Sequence, residues 1–262
     1  MTPIQYLRCL QGIIGREGLR FVAALVRPLV WLFIFAAGFR SVLGVSIIPP
    51  YETYVLYEVF IAPGLIGMIQ LFNGMQSSLS MVYDREMGNM RTLLVSPMPR
   101  WYLLTCKLLA GVSVSILQVY VFLFIAWFWD IEPPIYGYLT LLPALILSGL
   151  MLGALGLLLS SFIKQLENFA GVMNFVIFPM FFASSALYPL WRVKESSVLL
   201  YQICAANPFS HAVELIRFAL YGQVNWEALA VVVGCTLAFM ALAIYGYDPG
   251  RGLIARRGGP AG

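Results

Sequence analysis

The chain has 262 residues, of which 61% are hydrophobic and only 11% charged, with a formal net charge of +4 and a mean hydropathy of +0.85. A soluble domain normally carries about 25% charged residues, so a water-soluble fold is excluded and an all-α integral membrane protein is indicated. The apolar runs are continuous rather than alternating, which argues against an outer-membrane barrel, and no basic cluster interleaved with aromatics points to nucleic acid as a partner.

Residues 1–25 intersperse Ile4, Leu7, Ile14 and Leu19 with Arg8, Arg16, Glu17 and Arg20. This pattern predicts an amphipathic helix lying along the inner membrane surface. The first span is expected over 26–47 and shows no cleavable leader, because its apolar run is interrupted by Arg27 and flows on into an ordinary span. Arg40, toward its outer end, is placed to snorkel to the interface or to meet a substrate headgroup.

The second span, 57–82, contains Pro63-Gly64, where the proline removes one backbone donor and permits a bend. Gln70, Asn73, Ser77 and Ser80 follow at i, i+3, i+7 and i+10, one helical face, with Gln76 beside them. Polar side chains are expensive in lipid and turn toward protein or water. This face therefore marks either a translocation path or a seam between helices or subunits held by hydrogen bonds.

Residues 83–100 are too long and too charged for a mere turn between spans. Asp84 favours the positive end of a helix dipole, and Ser96-Pro97 disfavours continuing the helix, so a cytoplasmic helix is predicted over 84–97. Met87, Met90, Leu93 and Leu94 form its apolar face, leaving Arg85, Glu86, Asn89 and Arg91 to solvent or a partner. Its length and order suggest an element gripped by something in the cytoplasm.

The third span is expected over 102–128 and the fourth over 138–162. Gly149, Gly153, Gly156 and Ser160 make a small-residue stripe on the fourth, as close helix packing requires. A fifth span over 168–188 contains Pro179, and a sixth covers 226–247. The outer loop 189–225 carries a helix-start signal, Asn207-Pro208, with Asn as N-cap and Pro at the first helical position. A short helix lying on or dipping into the outer leaflet is expected from there to a stop at Gly222, with Glu214 and Arg217 three apart and able to pair.

Charge sets the orientation. Arg8, Arg16, Arg20, Arg27, Arg85, Arg91, Arg100, Lys107, Lys164, Arg251, Arg256 and Arg257, twelve of the 16 basic residues, fall inside if both termini are cytoplasmic. The outer side then keeps Arg40, Arg192, Lys194 and Arg217, and the short outer loop Asp130-Ile131-Glu132 is acidic. That asymmetry follows the positive-inside rule.

Chemistry-bearing clusters are scarce. His211 is the one histidine and sits next to Ser210, but sequence neighbours on a helix do not face each other. The four cysteines lie far apart, no metal-ligand spacing occurs, and no phosphate-cradling Gly-x-x-x-x-Gly-Lys loop is present. No catalytic residue, metal or cofactor is therefore expected. The competing classes are an intramembrane enzyme acting on lipid or peptide, centred on His211, and an ion-coupled transporter. The latter would want mid-membrane carboxylates, whereas Glu58 lies near a span end and Glu167 in a short loop.

Taken together, Asp84-Arg85-Glu86-x-Gly88, Leu93-Leu94-x-Ser96-Pro97-x-x-Arg100, Lys107, Pro63-Gly64 and Asn207-Pro208 with Glu214 and Arg217 resemble the type-two ATP-binding-cassette (ABC) exporter permeases. Cys106 departs from the pattern, which has a glycine before the lysine. The resemblance implies six spans, no ATPase of its own, and a multi-pass place in a bacterial inner membrane among lipids. It also implies two cytoplasmic ATPase subunits that use the ATP, and a second permease, either another copy of this chain completing a homodimer or a homologue. Asp84, Arg85, Glu86, Gly88, Arg91, Leu93, Leu94, Ser96, Pro97 and Arg100 would then couple to the ATPase. The cargo would be a polysaccharide, a lipid-linked or amphipathic molecule, or a drug.

Overall fold

The computed structural model describes residues 25–34, 50–51, 56–87, 100–129, 131–163 and 165–246. The expected interfacial helix over 1–25, the outer half of the first span and most of the 84–97 element lie outside these residues, apart from Leu25. Among the described residues every regular element is a helix. We number them α1 (Leu25–Ile34), α2 (Tyr57–Glu86), α3 (Arg100–Trp127), α4 (Ile135–Phe162), α5 (Leu166–Phe182), α6 (Leu190–Ser196), α7 (Val198–Ala206), α8 (Pro208–Leu220) and α9 (Trp226–Gly246). Four of them, α2, α3, α4 and α9, are long and apolar enough to cross a membrane, and α1 and α5 are shorter apolar helices. The ends are called outer and inner below according to the charge-based orientation.

The bundle is built on α2 and α4. Most of the apolar stretch of each is buried in the subunit, 83% for α2 and 61% for α4. Helix α2 packs against α3, α4, α5 and α8, and α4 packs against α2, α3, α8 and α9. Their shared contact depends on the small-residue stripe. A Cβ on Gly74 would come within 2.9 Å of the Gly153 Cα, and a Cβ on Gly156 within 2.8 Å of the Gly74 carbonyl oxygen. Backbone touches backbone there, which only hydrogen-sized side chains allow. Leu65, Met68, Met75, Leu145, Met151 and Leu152 close the core around the crossing.

Three features differ from the sequence-based expectation. Helix α2 runs unbroken through Asp84 and Arg85 to Glu86, so no new helix begins at Asp84. The fifth helix stops at Phe182 rather than near 188, where the chain turns so that Ala183 N–H returns to the Pro179 carbonyl at 2.8 Å. The outer segment forms three helices instead of one, and α8 does not lie on the surface. Its Phe209, Ala212, Val213 and Ile216 are fully buried between α2, α4 and α9, while α7 exposes Val198, Leu199 and Ile203.

Overpacking a filled helix contact typically costs about 1–3 kcal/mol. Gly74→Val and Gly156→Val are therefore expected to lower the thermal midpoint of the detergent-solubilised protein by several degrees, read by intrinsic fluorescence. Gly171→Ala is the control, because a Cβ there meets nothing within 4 Å, and it should leave the midpoint unchanged or raise it.

Candidate functional site

The outer end of the bundle is held by side chains that reach for backbone carbonyls. After α5 ends, residues 183–187 are wedged between α2 and α8, so closely that a Cβ on Gly64 would meet Ala186 at 2.7 Å. A non-helical stretch this deep must place its polar backbone groups somewhere. Tyr57 Oη donates to the Leu187 carbonyl at 2.8 Å, and Arg217 Nη2 donates to the Ser185 carbonyl at 2.8 Å. Ser185 N–H donates to Ser210 Oγ at 3.3 Å.

Asn207 serves two elements at once. Its Oδ1 accepts from Phe209 N–H at 3.0 Å, capping α8, with Pro208 at the first helical position. Its Nδ2 donates to the carbonyls of Met180 at 2.8 Å and Ala183 at 2.6 Å, satisfying the last turn of α5. At the other end of α8 the chain turns at Gly222, which has φ 68°, a conformation that favours glycine.

Arg217 is the centre of this clamp. It is only 3% exposed, pairs with Glu214 one turn back, and lays its guanidinium 4.3 Å from the centroid of the Phe60 ring on α2. Tyr51 is buried beside it and stacks edge-on with Tyr221 at 4.9 Å. Burial holds the Tyr51 phenol well above the usual tyrosine range, with the nearby Arg217 charge opposing the shift. Burial likewise pushes Tyr221 up to about 12. Both rings are neutral and act as packing surfaces against each other. Sequence spacing pointed to the Glu214–Arg217 pair. Phe60, Ser185, Tyr51 and Tyr57 carried no such signal, because their role depends on which helices meet.

The polar face of α2 divides. Gln70, 1% exposed, donates from Nε2 to the Leu145 carbonyl at 2.7 Å and accepts from Ser148 Oγ at 2.6 Å. Asn73 bonds to Gln118 on α3. Both amides are thus engaged with helices of the same subunit. Ser77 lines a cavity of about 10 Å³ between α2, α3 and α4 with Ser78 and Ser115, close to the size of one water. Ser80 and Gln76 are exposed, and Ser80 Oγ returns to the Ser77 carbonyl at 2.7 Å.

At the inner end, Glu86 is exposed and accepts from the Leu166 N–H of α5 at 3.2 Å. Arg100 is the first residue of α3. Gly88, Arg91, Leu93, Leu94, Ser96 and Pro97 lie outside the described residues. His211 and Ser210 do not form a nucleophile–base pair. His211 Nε2 meets the Ala205 carbonyl at 2.9 Å, while Ser210 Oγ is taken by Ser185 N–H. Among the described residues no group of three or more His, Cys, Asp or Glu is placed to hold a metal.

Comparison with known proteins adds the family context. Residues 6–221 match the family model described as ABC-2 type transporter. A protein named transport permease ycf38, from Porphyra purpurea, is 26% identical over 226 residues, covering 84% of this chain and 74% of its own length. YbhR of Escherichia coli (strain K12), named a multidrug ABC transporter permease, is 31% identical over 170 residues, covering 64% of this chain and 45% of the relative. Nodulation protein J of Rhizobium leguminosarum bv. viciae is 23% identical over 209 residues, covering 76% of this chain and 74% of the relative.

Removing one partner of a buried ion pair costs about 3–5 kcal/mol, and Glu214 keeps a side-chain exposure of 21% that softens the loss. Arg217→Ala is expected near the lower end, about 3 kcal/mol, seen as a large drop in thermal midpoint. Arg217→Lys should recover only part, because an ammonium lacks the planar fork that reaches Glu214 and the Ser185 carbonyl together.

Proposed function

The chain belongs to the ABC-2 type transporter family, and from that premise we propose that it is the membrane permease of an ATP-driven exporter in a bacterial inner membrane. As a transport permease it is the membrane subunit of an ABC transporter rather than an enzyme, and the family implies an ABC ATPase as partner. In the proposed assembly two ATPase subunits dock on the inner face of two identical permease copies. Residues 84–100, with Asp84, Arg85, Glu86, Arg91 and Arg100 as the charged contacts, form the docking element. The multidrug designation of YbhR favours an amphipathic cargo, whether a drug, a lipid-linked molecule or a polysaccharide carried on lipid.

The observation that carries this reading is the length and continuity of α2. Thirty helical residues rise about 45 Å at 1.5 Å each, against about 30 Å of hydrocarbon. The apolar part of the helix ends at Tyr83, and the charged element begins on the same helix beyond it. A rigid helix passes displacement of one end to the other without needing chemistry in between. An ATPase closing on the inner stub would therefore move the outer clamp, to which α2 is joined through Tyr57 and Phe60. The apolar exterior of α9 and of α5, where Phe175 is 78% exposed, offers surface for lipid and for the second copy.

Co-expression of the chain with an ATPase encoded beside it, followed by affinity purification, tests the proposal. The ATPase is expected to co-purify with the unmutated permease. Arg91→Glu should weaken that association at least about tenfold, equivalent to 1.4 kcal/mol, while leaving the permease thermal midpoint unchanged. Undiminished association and ATP turnover in Arg85→Glu/Arg91→Glu would count against residues 84–100 as the docking element.

A further inference from the structure

Among the described residues, the polar contacts of helix α5 with other elements lie at its two ends. Along its length it leans on α2, and only Phe169, Ile177 and Phe181 are buried. A Cβ at Gly171 would meet nothing within 4 Å, and Phe175 projects outward. Its outer end is fastened by Asn207 to the carbonyls of Met180 and Ala183. The turn beyond is fastened by Arg217 and Tyr57.

The inner end has a different anchor. The first amides of a helix lack intrahelical partners, and an N-cap side chain usually supplies one. Gln165, the N-cap of α5, makes no such bond, and its Oε1 instead accepts from Asn168 Nδ2 at 2.6 Å. The missing acceptor comes from another helix. Glu86 Oε2, at the last residue of α2, takes the Leu166 N–H at 3.2 Å. A carboxylate there also faces the positive end of the α5 dipole.

We infer that Glu86 is a positioning residue that ties the coupling end of α2 to the start of α5, so that the two inner ends move together. Displacement of α2 by a docked ATPase then tilts α5 about its clamped outer end. This deepens the function proposed above and rests on it. Glu86 is thereby given an intramolecular partner in addition to its place on the docking element.

Leu166→Pro separates these two roles. It deletes the donated N–H at the first helical position, where proline is well accommodated. Gln165 before it is already extended at φ −103° and ψ 137°, as a residue preceding proline prefers. Leu166 lies outside the element proposed to dock on the ATPase. The experiment is hydrogen–deuterium exchange by mass spectrometry on the co-purified permease–ATPase complex, with and without ATP plus vanadate. In the unmutated complex, trapping should change deuterium uptake in the peptides covering residues 80–87 and 166–176 together. Glu86→Ala and Leu166→Pro should each lose the nucleotide-dependent change in 166–176 while keeping that in 80–87. The double variant should be no worse than either single one, and Glu86→Gln, which retains an acceptor, should keep most of the response. Retention of the full response at 166–176 in Glu86→Ala or Leu166→Pro overturns the inference alone. Failure of the unmutated permease to retain any ATPase overturns the proposed function, and this inference with it.

Discussion

The close crossing of α2 and α4 is the contact on which the rest of the bundle depends. In lipid there is little hydrophobic gain in bringing two apolar helices together, so association relies on tight van der Waals contact and on hydrogen bonds between helices. Gly74, Gly153 and Gly156 supply the first by letting backbones meet. Gln70, bonded to the Leu145 carbonyl and Ser148, supplies the second a short distance away. Once that pair is set, α3, α8 and α9 have defined grooves to fill, and α5 leans on α2.

Polar side chains mark the places where this subunit departs from plain helix packing. The turn over residues 183–187 exposes carbonyls in the depth of the protein, and Tyr57, Arg217 and Asn207 converge on it from α2, α8 and the α8 cap. Such a turn cannot be moved without carrying the three side chains that satisfy it. The outer ends of α2, α5 and α8 are consequently one mechanical unit, while among the described residues the Glu86 carboxylate joins α2 to α5 at the inner end.

The sequence was legible wherever a local rule acts alone. Continuous apolar runs identify the long helices, because every backbone group in lipid must be bonded within its own segment. Asn207-Pro208 identifies the start of α8, because capping and a fixed φ are properties of those two residues. The end of α5 was not legible in the same way. Residues 183–188 contain no proline or glycine to announce a stop, and their turn exists because α2 and α8 provide donors for its carbonyls. Helix α8 reads as an outer-surface helix by amphipathicity, yet its polar residues Ser210 and Arg217 point into protein.

By itself, then, the chain of residues determined a helical membrane protein, its long apolar helices, its ABC-2 family motifs and the Glu214–Arg217 pairing, all of which depend on spacing within about one or two helical turns. Only the tertiary structure decided that α2 continues through Asp84 to Glu86, that Gln70 and Asn73 are engaged inside the subunit, and that Glu86 caps α5 across a separation of 80 residues. The physical reason is that an unsatisfied amide or carbonyl names the chemistry of the partner it needs but not its address, and the address is fixed by which helices pack together.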